Sequence, residues 1–332
     1  MWGGLTALVI LVAGELVFRL WEVEPVYRAS DVLGWQLTPN LDAAEFRGAP
    51  EPHRFEVSSN ADGLRGAAER DLSPGVFRVV VLGDSVPFGW GVGDQESLVG
   101  AAQAALEADP SSFGRFELIN AAQSAFSTEQ IGILYAQVVH DYQPDLVVVF
   151  LPLHDHHLVW LSDQQALEGG GGLIRARIWM LRHVRWYTVL RRWIRPEERS
   201  DPFVLPKEVT ETSKVEERVT RVSDDRRGEI LDGMMGLLAE HSGRLALGFL
   251  PIFPDDVVGE PGITQPGEDW ARQYAGERGV DIVDLRTACR EGGEDSVFSF
   301  DPGHFTSAGN ALIGREMAKW VIRGSSQGPE IP

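Results

Sequence analysis

A serine and a histidine in distant parts of the chain are its best candidates for chemistry. Ser85 stands three residues after the apolar run FRVVVL (77–82), where the chain turns sharply towards a helix. A serine hydroxyl becomes a strong nucleophile only when a base takes its proton. The candidate base is His304 in DPGHFTSAGN, because Asp301 can accept a hydrogen bond from one ring nitrogen and leave the other free for the serine. Ser85 alone could simply be a small residue in a tight turn, but with His304 and Asp301 it indicates acyl chemistry.

The elements that must bring these residues together alternate regularly from about residue 77 onward. Short apolar runs predict strands at 77–82, 116–119, 146–151, 245–250 and 280–283, and the segments between and after them predict helices at 97–107, 128–140, 227–241, 270–278 and 307–323. Continuous apolar strands separated by helices are typical of a parallel sheet covered on both faces, so we predict a three-layer α/β/α sandwich with about five strands. Ligands of such sheets bind beyond the carboxyl ends of the strands, which is where Ser85 stands.

Two motifs of the chain resemble those of the SGNH (GDSL-type) hydrolase family. The string G-D-S follows the first strand of this family, and D-x-x-H lies near its C-terminus. Both occur here in the right order and next to the right elements, and the resemblance extends over most of residues 77–323. The upstream strings VLGWQLTPN and SSNADGLRG resemble lead-in segments of membrane-anchored bacterial members.

The resemblance implies a flavodoxin-like SGNH fold and a serine esterase that needs no cofactor. Ser85 is then the nucleophile, His304 its base and Asp301 the residue that orients the histidine, while Gly83 and Asp84 support the turn. By analogy with the family, the substrate is an acyl ester, such as a small acyl group on an envelope glycan or lipid.

The two middle motifs of the family are altered here. The segment INAAQSAFSTEQ puts Ala125, or alternatively Ser124, where the family has a glycine whose N–H lines the oxyanion hole. That N–H survives the exchange for alanine if the local φ is negative, so the change is expected to be tolerated. In LPLHDHH, His154 replaces an asparagine and precedes Asp155, and a neutral imidazole can donate one hydrogen bond. The implied oxyanion hole consists of the N–H groups of Ser85 and Ala125 with the His154 side chain.

These changes keep other functions open. A catalytically reduced domain that binds a glycan or supports a membrane assembly is one alternative, and an O-acyltransferase that uses a sugar hydroxyl as acceptor is another.

The run HDHH (154–157) suggests a metal site, but neighbouring residues at a strand end point in alternating directions, so we expect none and place His156 and His157 at a polar rim. Glycines 89, 91 and 93 lie too far past the strand for a dinucleotide fingerprint.

Composition excludes some classes of protein. The net charge of −19 argues against a nucleic-acid partner, which needs a dense positive surface. The single cysteine, Cys289, excludes an internal disulfide and is expected to be a structural thiol.

We divide the chain into an N-terminal anchor (1–21), a lead-in segment (22–75) and an SGNH-like domain (76–325) with an insertion at about 158–226.

The first residues predict contact with a membrane. Residues 1–18 are nearly all apolar, with Glu15 as their one charge, and are close to the shortest length that spans a bilayer. A buried core helix is the alternative, and a cleaved signal peptide is less well supported. A basic amphipathic segment at 174–195 would lie on a membrane or pack on the domain as an ordinary helix. Arg19 and Arg28 would place the body inside the cell by the positive-inside rule, whereas family analogy predicts a periplasmic domain, which we adopt.

Overall fold

The computed structural model describes residues 13–15, 26–30, 32–47, 54–66, 70, 72–109, 115–159, 162–165, 219–251, 266–289 and 303–325, with a few isolated residues between 176 and 187. Most of the predicted anchor (1–21) and of the basic segment (174–195) therefore lies outside the described residues. Among the residues described, no helix is long and apolar enough to span a bilayer.

The described chain contains short strands first and then an alternation of strands and helices. The strands are β1 (Tyr27–Ser30), β2 (Gly34–Leu37), β3 (Ala44–Arg47), β4 (Arg54–Val57), β5 (Val76–Leu82), β6 (Arg115–Asn120), β7 (Leu146–Phe150), β8 (Leu158–Val159), β9 (Val219–Thr220), β10 (Arg244–Phe249) and β11 (Asp281–Asp284). The helices are α1 (Ser85–Phe88), α2 (Leu98–Ala108), α3 (Thr128–Gln137), α4 (Asp224–Leu238), α5 (Glu268–Arg278) and α6 (Ser307–Ser325).

A parallel sheet of five strands forms the centre, in the order β6–β5–β7–β10–β11, which confirms the predicted α/β fold. Counted along the chain, this order is 2-1-3-4-5, the flavodoxin-like arrangement. The strand order reverses between β5 and β7, and a crevice opens at such a point beyond the carboxyl ends of the strands. Ser85 follows β5 directly and therefore lies at this crevice.

Helices cover both faces of the sheet. Alternate residues of a strand point to opposite faces, and here both sets are apolar, so both faces must be buried. Val80 and Leu82 of β5 belong to a core shared with α3, α4 and α5, whereas Val79 and Val81 belong to a core shared with α2 and α6. Helix α6 lies very close to α2: a Cβ added to Gly314 would stand 2.8 Å from the backbone nitrogen of Ala102. This close packing places the start of α6, and the loop before it, at the carboxyl edge of the sheet.

The lead-in residues form a lobe that shares the core of the sheet. We call residues 26–66 the N-terminal lobe; its described parts contain two antiparallel pairs, β1–β2 and β3–β4. Trp35, Leu37 and Val57 are almost fully buried in the same core as Leu82 of the central sheet. The lobe is thus packed as part of the main body.

Arg65 ties this lobe to the loop that follows α1. Its buried guanidinium donates hydrogen bonds to the carbonyl oxygens of Phe88, Gly89 and Val92 at 2.6–2.8 Å. It also pairs with Asp94 at 2.8 Å. A buried cation is stable only when its donors are satisfied, so this loop and the lobe must keep their relative positions.

We expect Arg65→Met to lower the free energy of unfolding by about 3–5 kcal/mol, because three carbonyl oxygens and the Asp94 carboxylate each lose a hydrogen bond from the buried guanidinium. Urea unfolding followed by tryptophan fluorescence measures the change. The control is Arg70→Met, which removes an exposed pair with Asp141 and should cost less than about 1 kcal/mol. Equal losses in the two variants would show that Arg65 has no special structural role.

Candidate active site

The turn between β5 and α1 presents Ser85. A Cβ on Gly83 would overlap the Pro87 ring and stand 3.0 Å from the carbonyl oxygen of Phe150, so only glycine fits here. The carboxylate of Asp84 accepts a hydrogen bond from the Val86 N–H at 3.1 Å and closes the turn. The Ser85 side chain is thereby held where β5 ends, next to β7.

The structure brings His304 to this serine. The distance between His304 Nε2 and Ser85 Oγ is 2.8 Å, although the two residues lie 219 positions apart. The neighbouring Phe305 is buried in the core under α6, and Thr306 caps this helix by accepting a hydrogen bond from the Gly309 N–H at 3.1 Å. The loop that carries His304 is therefore anchored on its C-terminal side. Asp301 lies outside the described residues, so its role stays a prediction.

The predicted oxyanion loop runs beside the serine turn. The N–H groups of Ala121 and Gln123 donate to the carbonyl oxygens of Val81 and Gly83 at 2.9 and 3.1 Å, so the loop follows the end of β5. Ala125 comes two residues further on, in the segment that neighbours the Ser85 turn. In the part of the chain that the structure describes, the N–H groups of Ser85 and Ala125 donate to no acceptor.

Ala125 does not have the backbone conformation on which its tolerance was expected to depend. Its φ is +59°, in the left-handed region that favours glycine, so the condition of a negative φ is not met. Alanine keeps the N–H group but is strained in this conformation, since its Cβ approaches the carbonyl oxygen that follows. Some other contact must hold the loop in place.

His154 lies beside the serine turn. Its Nε2 atom is 3.9 Å from Oδ2 of Asp84, the residue before the candidate nucleophile. Its Nδ1 atom is 3.4 Å from Nδ1 of His157, so one ring donates a hydrogen bond to the other.

Asp155 and His156 point into the protein. Asp155 is fully buried and accepts hydrogen bonds from the N–H and the hydroxyl of Thr128 at 2.9 and 2.5 Å, so it joins the β7 loop to the start of α3. Burial raises the pKa of Asp155 to about 7. His156 is half-buried against Pro266 and Arg227 rather than at a polar rim, and burial lowers its pKa. The residues of the run HDHH (154–157) therefore have different surroundings: His154 lies beside the serine turn, whereas Asp155 and His156 pack inside the protein.

A groove opens next to Asp84, and apolar residues such as Pro87, Phe150, Leu153 and Phe249 line it. Walls of this kind suit the apolar part of an ester. Cys289 is not a competing nucleophile, because burial raises the pKa of its thiol to about 12.

Several residues that hold the oxyanion loop were not found from the sequence. The indole N–H of Trp35 donates to the Ser124 carbonyl oxygen at 3.0 Å. Arg221 reaches the Ala125 carbonyl oxygen at 3.5 Å and pairs with Asp163 at 2.8 Å. Trp35 lies in VLGWQLTPN, and the resemblance of this string to lead-in segments gives no role for the residue.

A serine and a histidine at hydrogen-bond distance on a flavodoxin-like sheet define a candidate serine hydrolase. The model of the GDSL-like Lipase/Acylhydrolase family matches residues 81–312, and the chain belongs to this family. No curated protein matches the chain.

Solved structures with low sequence identity also match. A putative lipolytic protein of the G-D-S-L family from Desulfitobacterium hafniense is 13% identical, with a TM-score of 0.42, and the match covers 73% of this chain and 98% of that chain. The esterase EstA from Pseudoalteromonas sp. is 13% identical with a TM-score of 0.45, covering 76% and 100%. The lipase/acylhydrolase from Enterococcus faecalis is 16% identical with a TM-score of 0.44, covering 74% and 96%.

The raised pKa of Asp155 predicts a pH-dependent stability. Between about pH 4 and pH 7 the folded protein keeps a proton that the unfolded chain releases, so stability falls as the pH rises, by about 1.4 kcal/mol per unit of pKa shift. Asp155→Asn stays uncharged and lacks this loss. We expect the unfolding free energy of the wild type, measured relative to Asp155→Asn, to decrease from pH 4 to pH 8. Exposed Asp42→Asn is the control, and a difference that does not change with pH would contradict the prediction.

Proposed function

We propose that the protein is a serine esterase in which Ser85 is the nucleophile and His304 the general base. The observation that carries this proposal is the 2.8 Å distance between His304 Nε2 and Ser85 Oγ. Membership of the lipase/acylhydrolase family supports ester hydrolysis as the reaction. By the family resemblance, the N–H groups of Ser85 and Ala125 supply the hydrogen-bond donors that such a reaction needs.

The chemistry follows from these positions. Ser85 Oγ attacks the ester carbonyl carbon while His304 Nε2 takes the hydroxyl proton, and the carbonyl oxygen becomes an oxyanion. The N–H groups of Ser85 and Ala125, with a ring N–H of His154, stabilise this oxyanion. His304 then returns the proton to the departing alcohol, and an acyl group remains on Ser85. A water molecule, deprotonated by His304, attacks the acyl carbon. His304 then returns this proton to Ser85 Oγ as the C–O bond breaks, which releases the acid and the free serine.

Three parts of this proposal rest on the sequence. Asp301 would accept a hydrogen bond from His304 and stabilise its protonated ring. Residues 1–21, of which 1–18 are nearly all apolar, would anchor the protein in a membrane, with the basic segment 174–195 as a second contact. The family resemblance supports a periplasmic domain that acts on acyl esters of an envelope glycan or lipid.

Hydrolysis of p-nitrophenyl acetate and butyrate by the full chain tests the proposal. We expect turnover in the wild type and a loss of at least about 10³-fold in Ser85→Ala, because this variant lacks the nucleophile. A fluorophosphonate should label the wild type and not Ser85→Ala. The matched control is Ser325→Ala at the far end of α6, which should keep wild-type turnover.

Absence of both turnover and labelling would refute the esterase proposal and favour a domain that only binds its ligand. Labelling of Ser85 without turnover in water would instead indicate transfer to another acceptor, such as a sugar hydroxyl.

His154 offers a test of the oxyanion hole. We expect His154→Ala to lower kcat by about 10²–10³-fold, the usual effect of losing one oxyanion donor. His154→Asn supplies the donor that the family resemblance places here and should keep kcat within about 10-fold of the wild type. Steady-state kinetics with p-nitrophenyl acetate measures both variants. An unchanged kcat in His154→Ala would exclude the donor role.

A further inference from the structure

The strained residue Ala125 lies in a tight turn in which the Ser124–Ala125 peptide can take either of two orientations. Residues 123–126 form a β-turn closed by a hydrogen bond from the Phe126 N–H to the Gln123 carbonyl oxygen at 3.2 Å. Its third residue, Ala125, has a φ of +59°, whereas the φ of Ser124 is not positive. This is the type II pattern, which normally has glycine at the third position.

A type I turn is the alternative for the same residues. It is closed by the same hydrogen bond, but the peptide between the second and third residues is rotated by about 180° and the third residue has a negative φ. Alanine is unstrained in the type I form and strained in the type II form. The local sequence therefore favours type I, yet the structure has type II.

The contact that reverses this preference comes from the N-terminal lobe. The indole N–H of Trp35 donates to the Ser124 carbonyl oxygen at 3.0 Å. The Trp35 ring is buried and packs edge-on against Phe126, with the ring centroids 5.7 Å apart. Rotation of the Ser124–Ala125 peptide would leave a buried indole N–H without an acceptor, which is costly.

The turn cannot avoid this contact by moving as a whole, because its first residue is also held by the lobe. The side chain of Gln123 accepts a hydrogen bond from the Leu37 N–H and donates one to the Gly63 carbonyl oxygen, both at 3.0 Å. On the opposite side, the Gln123 N–H donates to the Gly83 carbonyl oxygen. The one remaining freedom of the turn is rotation of the Ser124–Ala125 peptide, and the hydrogen bond from the Trp35 indole fixes that rotation.

The direction of the Ala125 N–H follows from this contact. In a trans peptide the C=O and N–H groups point in opposite directions. With the Ser124 carbonyl bound to Trp35, the Ala125 N–H points away from the lobe, and it donates to no acceptor in the described part of the chain. In the type I form the same N–H would point towards Trp35 and away from the ligand crevice.

We propose that Trp35 is a positioning residue that holds the Ser124–Ala125 peptide in the orientation needed for the oxyanion hole. This inference rests on the proposed function, because it assigns Ala125 N–H to the stabilisation of an oxyanion. Trp35 does not touch the substrate. It compensates for an alanine at a position where glycine would need no such support.

Four full-length proteins test the inference: wild type, Trp35→Phe, Ala125→Gly and the double variant. Phenylalanine keeps an aromatic ring but removes the N–H donor. We expect Trp35→Phe to lower kcat for p-nitrophenyl acetate by about 10–100-fold with KM within about 2-fold, since the lost interaction stabilises only the transition state. Ala125→Gly should rescue Trp35→Phe: in the Ala125→Gly background, Trp35→Phe should lower kcat much less than it does in the wild type, because glycine adopts the type II turn without strain.

The rescue separates positioning from general packing. If Trp35 acted through packing alone, Trp35→Phe would cause the same loss in the wild type and in the Ala125→Gly background, and that result would overturn the inference. An unchanged kcat in Trp35→Phe would also overturn it. Trp320→Phe, on the far part of α6, controls for the loss of an indole and should leave kcat unchanged.

Two measurements do not depend on activity, so they separate this inference from the proposed function. A crystal structure of Trp35→Phe should show a type I turn at residues 123–126 with a negative φ at Ala125, and a retained type II turn would overturn the inference. Ala125→Gly should raise the Tm by about 2 °C because it removes the strain. This second result remains available even if Trp35→Phe does not fold, and an unchanged or lower Tm would count against the inference.

Discussion

The hydrogen bond between His304 and Ser85 places the strictest constraint on this fold. It joins at 2.8 Å two side chains that are 219 positions apart in the chain. The bond requires that β5 end beside β7 and that α6 begin at the same edge of the sheet. The glycines that permit close packing serve this requirement: Gly83 lets the chain turn under Pro87, and Gly314 lets α6 lie against α2.

The N-terminal lobe is part of the same arrangement. Its apolar residues share one core with the central sheet, and its polar contacts go to the two loops that surround the serine. Arg65 binds the loop after α1, and Trp35 and Leu37 bind the oxyanion loop at Ser124 and Gln123. Buried hydrogen bonds of this kind are directional, so they fix peptide orientation as well as position. The described part of the lobe thereby contacts both loops that flank the candidate nucleophile.

The departures of this chain from the SGNH pattern have different structural consequences. At Ala125 the backbone keeps the glycine-like conformation, and the strain is offset by contacts from outside the loop. At His154 the side chain itself differs, and its proton position depends on Asp84 and His157. The family's usual residues need neither support, because glycine is unstrained at positive φ and an asparagine amide always carries donors. At both positions, a residue that needs no support is replaced by one whose conformation or proton position depends on contacts with other parts of the chain.

Much of the fold could be predicted from the sequence, because apolar periodicity is a local property. The strands expected at 77–82 and 146–151 are Val76–Leu82 and Leu146–Phe150, and the last helix expected at 307–323 is Ser307–Ser325. Residue type and order also singled out Ser85 and His304 as candidates. Their chemical types and their places after a strand and before a helix were visible without coordinates.

Other features were decided only by the tertiary structure. The positive φ of Ala125 could not be read from an alanine, whose local preference is the opposite, and the partner that imposes it is Trp35, 89 positions before Ser124. The neighbouring histidines His154 and His156 look alike in the sequence, yet one lies beside Asp84 and the other against Arg227. The physical reason is the same in both cases. Sequence patterns record what a residue prefers by itself, whereas peptide orientation, burial and proton position depend on neighbours that only the folded chain supplies.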